Sequence, residues 1–246
     1  MGELSGFTWP KRKPGAKPRS AEQLPPPSAD IDYTPFPTAS NPATIYRAVT
    51  RGNGAWWFAS APENPTPENA GGRFDLPRPR GTSYWGDSPD VALGERLGAG
   101  MVATPGSIPR RLITGIDIRS ADGPNGKFAD LGGKNVTSVF GVTGELSTTS
   151  NYPLAQAYAV ALRAAGMDGI RYRARFSGDG PPNAVAVFDD NGQHEDTTRQ
   201  VDPDIIQAEP IAVGMGLTVV DSASTIPPTA HHILTSLPPM RKRPTK

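Results

Sequence analysis

Polar and apolar residues alternate with a period of two over Thr44–Val49 and again over Gly169–Phe176, which predicts a β-strand in each segment. The first strand places Arg47 on the same face as Ile45 and Val49. A guanidinium on an apolar face needs a partner or a wet cleft that binds an anion, because an unpaired buried charge is costly. An edge strand on which Arg47 reaches solvent is the alternative.

The second strand has one apolar face and one basic face. The apolar face carries Ile170, Tyr172, Ala174 and Phe176, and the opposite face carries Arg171, Arg173 and Arg175. A partner strand is predicted over Ala184–Phe188, after a loop rich in Gly and Pro. Further strands are predicted over Thr82–Trp85, Arg111–Ile118 and Val136–Val142.

A helix is predicted after the Thr82–Trp85 strand, because Asp87 or Ser88 can cap its start and Gly98 can end it. Its apolar residues are spaced three or four apart, which groups them on one side. Glu95 shares this side, so we expect its carboxylate to point toward the domain. The alternative is an exposed glutamate on the outer surface of the helix.

The helix with the most regular apolar stripe begins at Asn151 or Tyr152 and ends at Gly166. Strands and helices follow one another without strict βαβ alternation, so the sequence predicts an α+β fold rather than a doubly wound sheet. No Gly-x-Gly-x-x-Gly motif follows a predicted strand, which argues against a dinucleotide-binding fold of that type.

Proline is concentrated at the two ends of the 246-residue chain, with nine prolines in residues 1–42 and five in residues 221–246. Segments of this composition bury too little apolar surface to offset the entropy that is lost on ordering. The sequence therefore predicts a disordered, basic arm over 1–42, a single globular domain over 43–220 and a basic tail over 221–246.

The net charge of +1 is unevenly distributed, because both ends are basic whereas residues 43–220 carry 16 basic and 19 acidic side chains. That balance disfavours nucleic acid as a partner of the core domain, since nucleic-acid binding usually needs a basic face. Polyproline segments are ready-made ligands for aromatic grooves. A non-catalytic interaction protein that works through its Pro-rich ends is therefore a second interpretation.

The chain has no cysteine, and its three histidines are not arranged at the spacing of metal ligands. Thiol chemistry is therefore excluded, and a metal site or a histidine general base is disfavoured. The sequence also lacks an apolar run of membrane-spanning length and an N-terminal apolar signal segment. We accordingly expect a cytoplasmic protein that uses neither a metal nor a membrane.

Several short motifs, in this order along the chain, resemble the RES domain family, the toxins of bacterial toxin–antitoxin pairs named for an arginine, a glutamate and a serine. The motifs are Tyr46-Arg47, Gly71-Gly72-Arg73-Phe74, Gly81–Glu95 and Gly169-Ile170-Arg171-Tyr172. The resemblance spans residues 44–189. It implies a catalytic domain with the split mixed sheet and flanking helices of ADP-ribosyltransferases. It also implies destruction of NAD, or transfer of its ADP-ribose, and a helix-turn-helix antitoxin as partner.

The resemblance also implies roles for individual residues. Arg47 and Glu95 look like the arginine and glutamate of the family name, Arg73 resembles the arginine of the family's Gly-Gly-Arg segment, and Tyr84 resembles the tyrosine ahead of the glutamate. Arg47, Glu95 and Tyr84 are thus candidate catalytic residues. Arg47, Arg73 and Tyr84, together with Ala174, are candidate NAD-binding residues.

The chain departs from the family pattern at the serine. Alignment on Tyr172 places Ala174 at the position of the family serine, and Ser177 lies three residues further along the chain. Loss of a supporting hydroxyl leaves polar partners unpaired at a cost of about 1–3 kcal/mol. Read as transition-state energy, that corresponds to a rate that is roughly tenfold to a hundredfold lower.

The predicted residues suit cleavage of the bond between nicotinamide and ribose, which passes through an oxocarbenium-like state. A carboxylate such as Glu95 can stabilise that cation or bind a ribose hydroxyl, and arginines can hold the diphosphate. NAD is then the substrate, and no prosthetic group is needed. The adjacent rings of Trp56, Trp57 and Phe58 form local core or a strand edge, with a platform for nicotinamide or adenine as the alternative.

Overall fold

The computed structural model describes residues 24–66, 69–176, 181 and 183–221. The strands in these residues are β1 (Thr38–Ala39), β2 (Thr44–Thr50), β3 (Trp57–Phe58), β4 (Arg80–Gly86), β5 (Ser107–Pro109), β6 (Ile116–Asp122), β7 (Phe128–Asp130), β8 (Gly169–Tyr172), β9 (Ala184–Asp190), β10 (Gly192–Gln193), β11 (Ile206–Gln207) and β12 (Thr218–Val220). The helices are α1 (Pro89–Ala103), α2 (Arg110–Ile113), α3 (Val136–Phe140), α4 (Tyr152–Ala164) and α5 (Ala208–Gly214). Within the same residues, no helix has both the length and the apolar character needed to cross a membrane.

Eight strands form one mixed sheet in the order β1-β7-β8-β9-β4-β2-β6-β11. The β7–β8 pair is parallel, and the other neighbours are antiparallel. This large mixed sheet with flanking helices confirms the predicted α+β fold.

The sheet is divided between β2 and β4, its two central strands. They pair at a single position, Tyr46 opposite Gly86, whereas β2 pairs with β6, and β4 with β9, along all seven of their residues. The sheet therefore consists of two well-paired halves that separate at their junction, and α1 contacts strands of both halves.

Helix α1 begins where the sequence predicted, because the Ser88 side chain accepts a hydrogen bond from the Val91 backbone N–H at 3.3 Å. The helix does not end at Gly98 but continues to Ala103. A Cβ atom at Gly98 would overlap the ring of Phe176. The glycine is therefore explained by close packing against that ring rather than by helix termination.

The largest hydrophobic core lies between α4 and the half of the sheet that contains β8 and β9. Tyr158 and Leu162 of α4 pack with Ile170 and Ala186 there. As predicted, α4 begins at Tyr152 and is capped by Asn151. A separate cluster beneath α1 joins its residues Leu93 and Leu97 to β6 and α5.

Three strand predictions need correction. Residues 111–118 do not form one strand, because α2 occupies Arg110–Ile113 and β6 begins only at Ile116. The predicted strand at 136–142 is not formed, because helix α3 occupies Val136–Phe140 and is bounded by left-handed backbone conformations at Asn135 (φ 63°) and Gly141 (φ 67°) that interrupt an extended chain. Strand β8 stops at Tyr172, four residues before the predicted end, so Arg173 and Arg175 lie beyond the strand.

The N-terminal boundary also differs from the prediction. Residues 24–42 were predicted to be disordered, but Leu24, Tyr33 and Phe36 are buried in the largest core, and β1 pairs with β7 at the edge of the sheet. The apolar residues between the prolines bury enough surface to order this stretch. The rest of the two predicted disordered ends, residues 1–23 and 222–246, lies outside the described residues.

Candidate active site

A cleft of about 270 Å³ opens where β2 and β4 separate. Four predicted site residues on different segments line it: Arg47 on β2, Arg73 in the loop before β4, Tyr84 on β4 and Glu95 on α1. Different segments of the chain thus bring two cations, a carboxylate and an aromatic ring to one cavity. Their roles in binding and catalysis remain predictions.

Arg47 joins the two halves of the sheet. Its Nη1 donates to the carbonyl oxygens of Ala55 at 2.6 Å and Trp57 at 3.0 Å, and to the Ser83 hydroxyl on β4 at 2.6 Å. Burial, and then the nearby Arg96, lower the pKa of Arg47 to about 10, so the guanidinium is still a cation at neutral pH. Within the described part of the chain these hydrogen bonds all use Nη1, which leaves its other donors for a ligand.

Arg73 is a buried cation surrounded by aromatic rings. Its side chain is only 7% exposed, and its guanidinium carbon lies about 6 Å from the ring centroids of Phe74, Tyr152 and Tyr172. Its Nε has no hydrogen-bond partner among the residues that the structure describes. Cation–π contacts offset part of the cost of burying this charge, and a guanidinium that lines a cleft is suited to bind an anion there.

The hydroxyl of Tyr84 forms hydrogen bonds within the protein. It donates to Asp75 Oδ1 at 2.8 Å and accepts the Phe74 backbone N–H at 2.8 Å. Burial raises the pKa of Tyr84 well above its usual value, and the neighbouring Asp75 raises it further, so the phenol is neutral. We infer that Tyr84 presents its ring to a ligand, because its hydroxyl is already engaged.

Asp75 does not line the cleft but contacts Gly72 and Tyr84, which do, and the sequence analysis missed it. It is 1% exposed, and its Oδ2 accepts the Gly72 backbone N–H at 2.6 Å. Burial raises the pKa of Asp75 to about 6, and the hydrogen bonds from Gly72 and Tyr84 together with the charge of Arg47 oppose that rise. No local pattern in the sequence marks Asp75, because its partner Tyr84 lies on β4 and meets it only in the folded chain.

Glu95 lies partly buried on the side of α1 that faces the cleft. Its Oε1 accepts the Phe176 backbone N–H at 3.2 Å, which ties α1 to the segment that follows β8. The adjacent Arg96 also lines the cleft and donates to the Thr50 hydroxyl at 3.2 Å. Among the described residues, three arginines and one glutamate line the cavity. Its net charge is therefore positive, which favours an anionic ligand.

Ala174, a candidate NAD-binding residue by its sequence position, does not line the cleft. It is 2% exposed and packs in the largest core, and its N–H donates to Asn183 Oδ1 at 2.9 Å. The period-two alternation ends with β8 at Tyr172, so it cannot place residue 174. Tyr172 lines the cleft from this strand instead, and Ser177 lies outside the described residues.

The aromatic cluster on and before β3 does not form a base platform in this cleft. Trp56 and Phe58 are buried in a core, Trp57 is 43% exposed, and none of the three lines the cavity. The interpretation as local core and strand edge is therefore correct.

The rings that line the cleft, among the described residues, are Tyr46, Tyr84, Trp85, Tyr152 and Tyr172. No spacing signal marks Tyr152, the first residue of α4, as a site residue.

Comparisons with known proteins identify a family from the sequence and a similar fold from the structure. A sequence model described as the RES domain matches residues 44–208, and no curated protein matches the chain. The chain is similar in structure to one in the crystal structure of the M. tuberculosis MbcT-MbcA toxin-antitoxin complex, with a TM-score of 0.52 and 16% sequence identity. The match covers 72% of this chain and 90% of that one, and at this identity it shows a shared fold.

Proposed function

The chain belongs to the RES domain family, and on this premise we propose that it is a toxin that consumes NAD. In this proposal it cleaves the bond between nicotinamide and ribose in the cytoplasm and passes the ADP-ribose to water, phosphate or another acceptor. The antitoxin that restrains it is a protein of the helix-turn-helix type. The solved structure that the chain resembles is a toxin-antitoxin complex, which supports an antitoxin as partner; the helix-turn-helix type is part of the proposal.

The observation that supports the proposal best is the buried Arg73 guanidinium, which faces the same cleft as the carboxylate of Glu95. A buried cation with an unused donor suits a phosphate group, and a nearby carboxylate suits a developing positive charge. NAD contains both features close together, because a ribose joins its diphosphate to its nicotinamide. In this proposal Arg73 binds a phosphate of NAD, and Glu95 faces the ribose that carries the nicotinamide.

The cleft is small relative to the whole of NAD, so the proposal places only part of the dinucleotide in it. A volume of about 270 Å³ is at the lower limit for sites that enclose a drug-sized ligand. We therefore assign the nicotinamide ribose and the neighbouring phosphates to the cleft, and the adenosine to the protein surface outside it. Arg47 and Arg73 hold the phosphates, and the ring of Tyr84 packs against the nicotinamide ribose.

The chemistry needs little beyond this arrangement. When the bond from ribose C1′ to the nicotinamide nitrogen breaks, its electron pair neutralises the pyridinium, and positive charge develops on the ribose. Glu95 stabilises that charge or binds a ribose hydroxyl. Water then adds to C1′ and loses a proton, which yields ADP-ribose, whereas phosphate or a protein side chain gives the corresponding adduct.

Incubation of the purified full-length protein with NAD, with and without phosphate, tests the proposal. We expect release of nicotinamide, and the identity of the second product distinguishes hydrolysis, phosphorolysis and transfer. Absence of nicotinamide release under all these conditions would contradict the proposal. It would favour the alternative of a non-catalytic interaction protein, for which the alanine at position 174 is the supporting observation.

A further inference from the structure

The backbone on both sides of Arg73 is fixed by side chains from other parts of the fold. The Gly72 N–H donates to Asp75, and the Gly72 carbonyl accepts from the Gln156 side-chain amide of α4 at 2.9 Å. The Phe74 N–H donates to the Tyr84 hydroxyl, and the Phe74 carbonyl accepts from the Thr82 hydroxyl at 2.7 Å. These four hydrogen bonds therefore restrain the backbone from which the Arg73 side chain projects.

The Gly-Gly pair before Arg73 is required by the approach of the Asp75 carboxylate. A Cβ at Gly72 would lie 2.6 Å from both Asp75 Oδ1 and the Tyr84 hydroxyl oxygen. Gly71 adopts a φ of +74°, and a Cβ there would lie 3.0 Å from Asp75 Oδ2. Both glycines thus permit the backbone to wrap closely around this carboxylate.

Asp75 contributes to two of the four contacts around Arg73. One carboxylate oxygen accepts a hydrogen bond from the Gly72 N–H, and the other accepts one from the Tyr84 hydroxyl. The Tyr84 hydroxyl in turn accepts a hydrogen bond from the Phe74 N–H. Because the ring of Tyr84 also lines the cleft, the same carboxylate fixes both a candidate phosphate ligand and a candidate ring contact. We propose that Asp75 is a positioning residue, whose carboxylate holds the Gly72–Phe74 turn and the Tyr84 ring so that Arg73 faces an anionic ligand.

The ionised form of Asp75 is the form that suits this role, because a carboxylate accepts both hydrogen bonds without carrying a proton of its own. Tyr84 from β4 and Arg47 from β2 face the Asp75 carboxylate. The neighbouring elements add the uncharged Gln156 amide from α4, which binds the Gly72 carbonyl, and Tyr172 from β8, which lies near Tyr84. Burial raises the pKa of Asp75 to about 6. The positioning effect should therefore weaken as the pH falls through about 6.

The contribution of Asp75 to turnover rests on the proposed function, whereas its effect on the turn does not. For NAD, we expect Asp75→Asn to raise KM about tenfold and to change kcat less, because Arg73 holds the phosphates in the ground state and transition state alike. The rise in wild-type KM below about pH 6 should be absent from Asp75→Asn. Tyr84→Phe, which keeps the ring, should have an effect that is not additive with Asp75→Asn, because the two residues share one network.

Amide hydrogen exchange of the full-length protein without ligand tests the turn independently. Exchange at Gly72 and Phe74 should be faster in Asp75→Asn than in the wild type, and strands β4 and β9 should be unchanged. Asp117→Asn is the matched control, because Asp117 is also buried but pairs outside the cleft with Arg51, the residue that follows β2. This control should alter neither exchange at Gly72 and Phe74 nor the KM for NAD.

The outcomes separate this inference from the proposed function. If the wild type releases no nicotinamide, the proposed function fails, and exchange at Gly72 and Phe74 still decides whether Asp75 holds the turn. If exchange at these two amides is the same in the wild type and in Asp75→Asn, the positioning role is overturned. It is also overturned if the wild type is active and the variant has the same KM and the same pH profile.

Discussion

Arg47 Nη1 and Ser83 Oγ lie 2.6 Å apart across the gap between β2 and β4. The two strands share a single pair of opposed residues, so this side-chain hydrogen bond replaces part of the backbone pairing that is missing there. Because Arg47 also lines the cleft, the gap that weakens the sheet is the same gap that forms the candidate site. A residue that stabilises the fold at this point therefore also sets the shape of the site.

Removal of the Ser83 hydroxyl tests this relationship. Ser83 is buried and also accepts a hydrogen bond from the Trp85 indole at 3.0 Å. We expect Ser83→Ala to lower the free energy of unfolding by about 1–3 kcal/mol, because two buried donors lose an acceptor. Denaturant unfolding measures this loss, and a stability equal to that of the wild type would contradict the bridging role of Ser83.

Replacement of Arg73 tests its role as a phosphate ligand. Arg73→Ala should raise the KM for NAD by about ten- to a hundredfold, because a charge-assisted hydrogen bond is lost from a buried site. Arg73→Lys should recover only part of this loss, since an ammonium cannot bind a phosphate in the bidentate manner. Arg111→Ala, on the exposed surface of α2, is the control and should leave KM unchanged. An equal KM for Arg73→Ala and the wild type would exclude Arg73 from the binding site.

The packing of Gly98 predicts an indirect effect on Glu95. A side chain at position 98 would overlap the Phe176 ring, and the Phe176 N–H donates to Glu95. Gly98→Val should therefore reduce kcat about tenfold or more and destabilise the fold by about 1–3 kcal/mol through overpacking. Steady-state kinetics and thermal unfolding measure the two effects.

Gly115→Ala is the control for Gly98→Val, because a Cβ at position 115 meets no atom within 4 Å. This control should retain the kcat of the wild type. If Gly98→Val also retained it, the contact between Phe176 and Glu95 would have no part in activity.

The raised pKa of Asp75 predicts a pH dependence of stability. Its pKa is about 6 in the folded protein against an ordinary value of 3.8, so between these values the folded state binds more protons than the unfolded state. The stabilisation that results is fully present below the ordinary pKa and is lost as the pH rises through about 6. The shift corresponds to about 3 kcal/mol.

An asparagine side chain does not titrate, so Asp75→Asn isolates this effect. The free energy of unfolding of the wild type minus that of the variant should decrease by about 3 kcal/mol between roughly pH 3 and pH 7. Chemical denaturation of both proteins across this range is the measurement. A difference that stays constant, or that increases with pH, would contradict a raised pKa for the buried Asp75 carboxylate.

The sequence was sufficient where a short pattern determines a local structure. The period of two placed Arg47 on β2, and the capping residue Ser88 together with helical spacing placed Glu95 on the inner side of α1. These predictions succeed because alternation and capping depend on neighbouring residues. The cleft itself depends on the separation of β2 from β4, which no local pattern encodes.

The predictions that failed depend on tertiary contacts. Ala174 was aligned with the family serine and placed on the inner face by an alternation that was extended past Tyr172, where β8 has already ended. Gly98 was interpreted as a helix end, although its role is to accommodate the Phe176 ring. Asp75 was missed because its partners, Tyr84 and the turn before it, meet only in the folded chain.

Nicotinamide release by the wild type and by Glu95→Gln tests the central claim most directly. Glutamine retains the size of the side chain and an oxygen that can accept the Phe176 N–H, but it removes the negative charge that stabilises the ribose cation. Glu145→Gln, at an exposed position outside the cleft, is the matched control. We predict that the wild type and Glu145→Gln release nicotinamide from NAD and that Glu95→Gln is slower by about a hundredfold or more. Equal rates for Glu95→Gln and the wild type would contradict the assignment of this cleft as the active site.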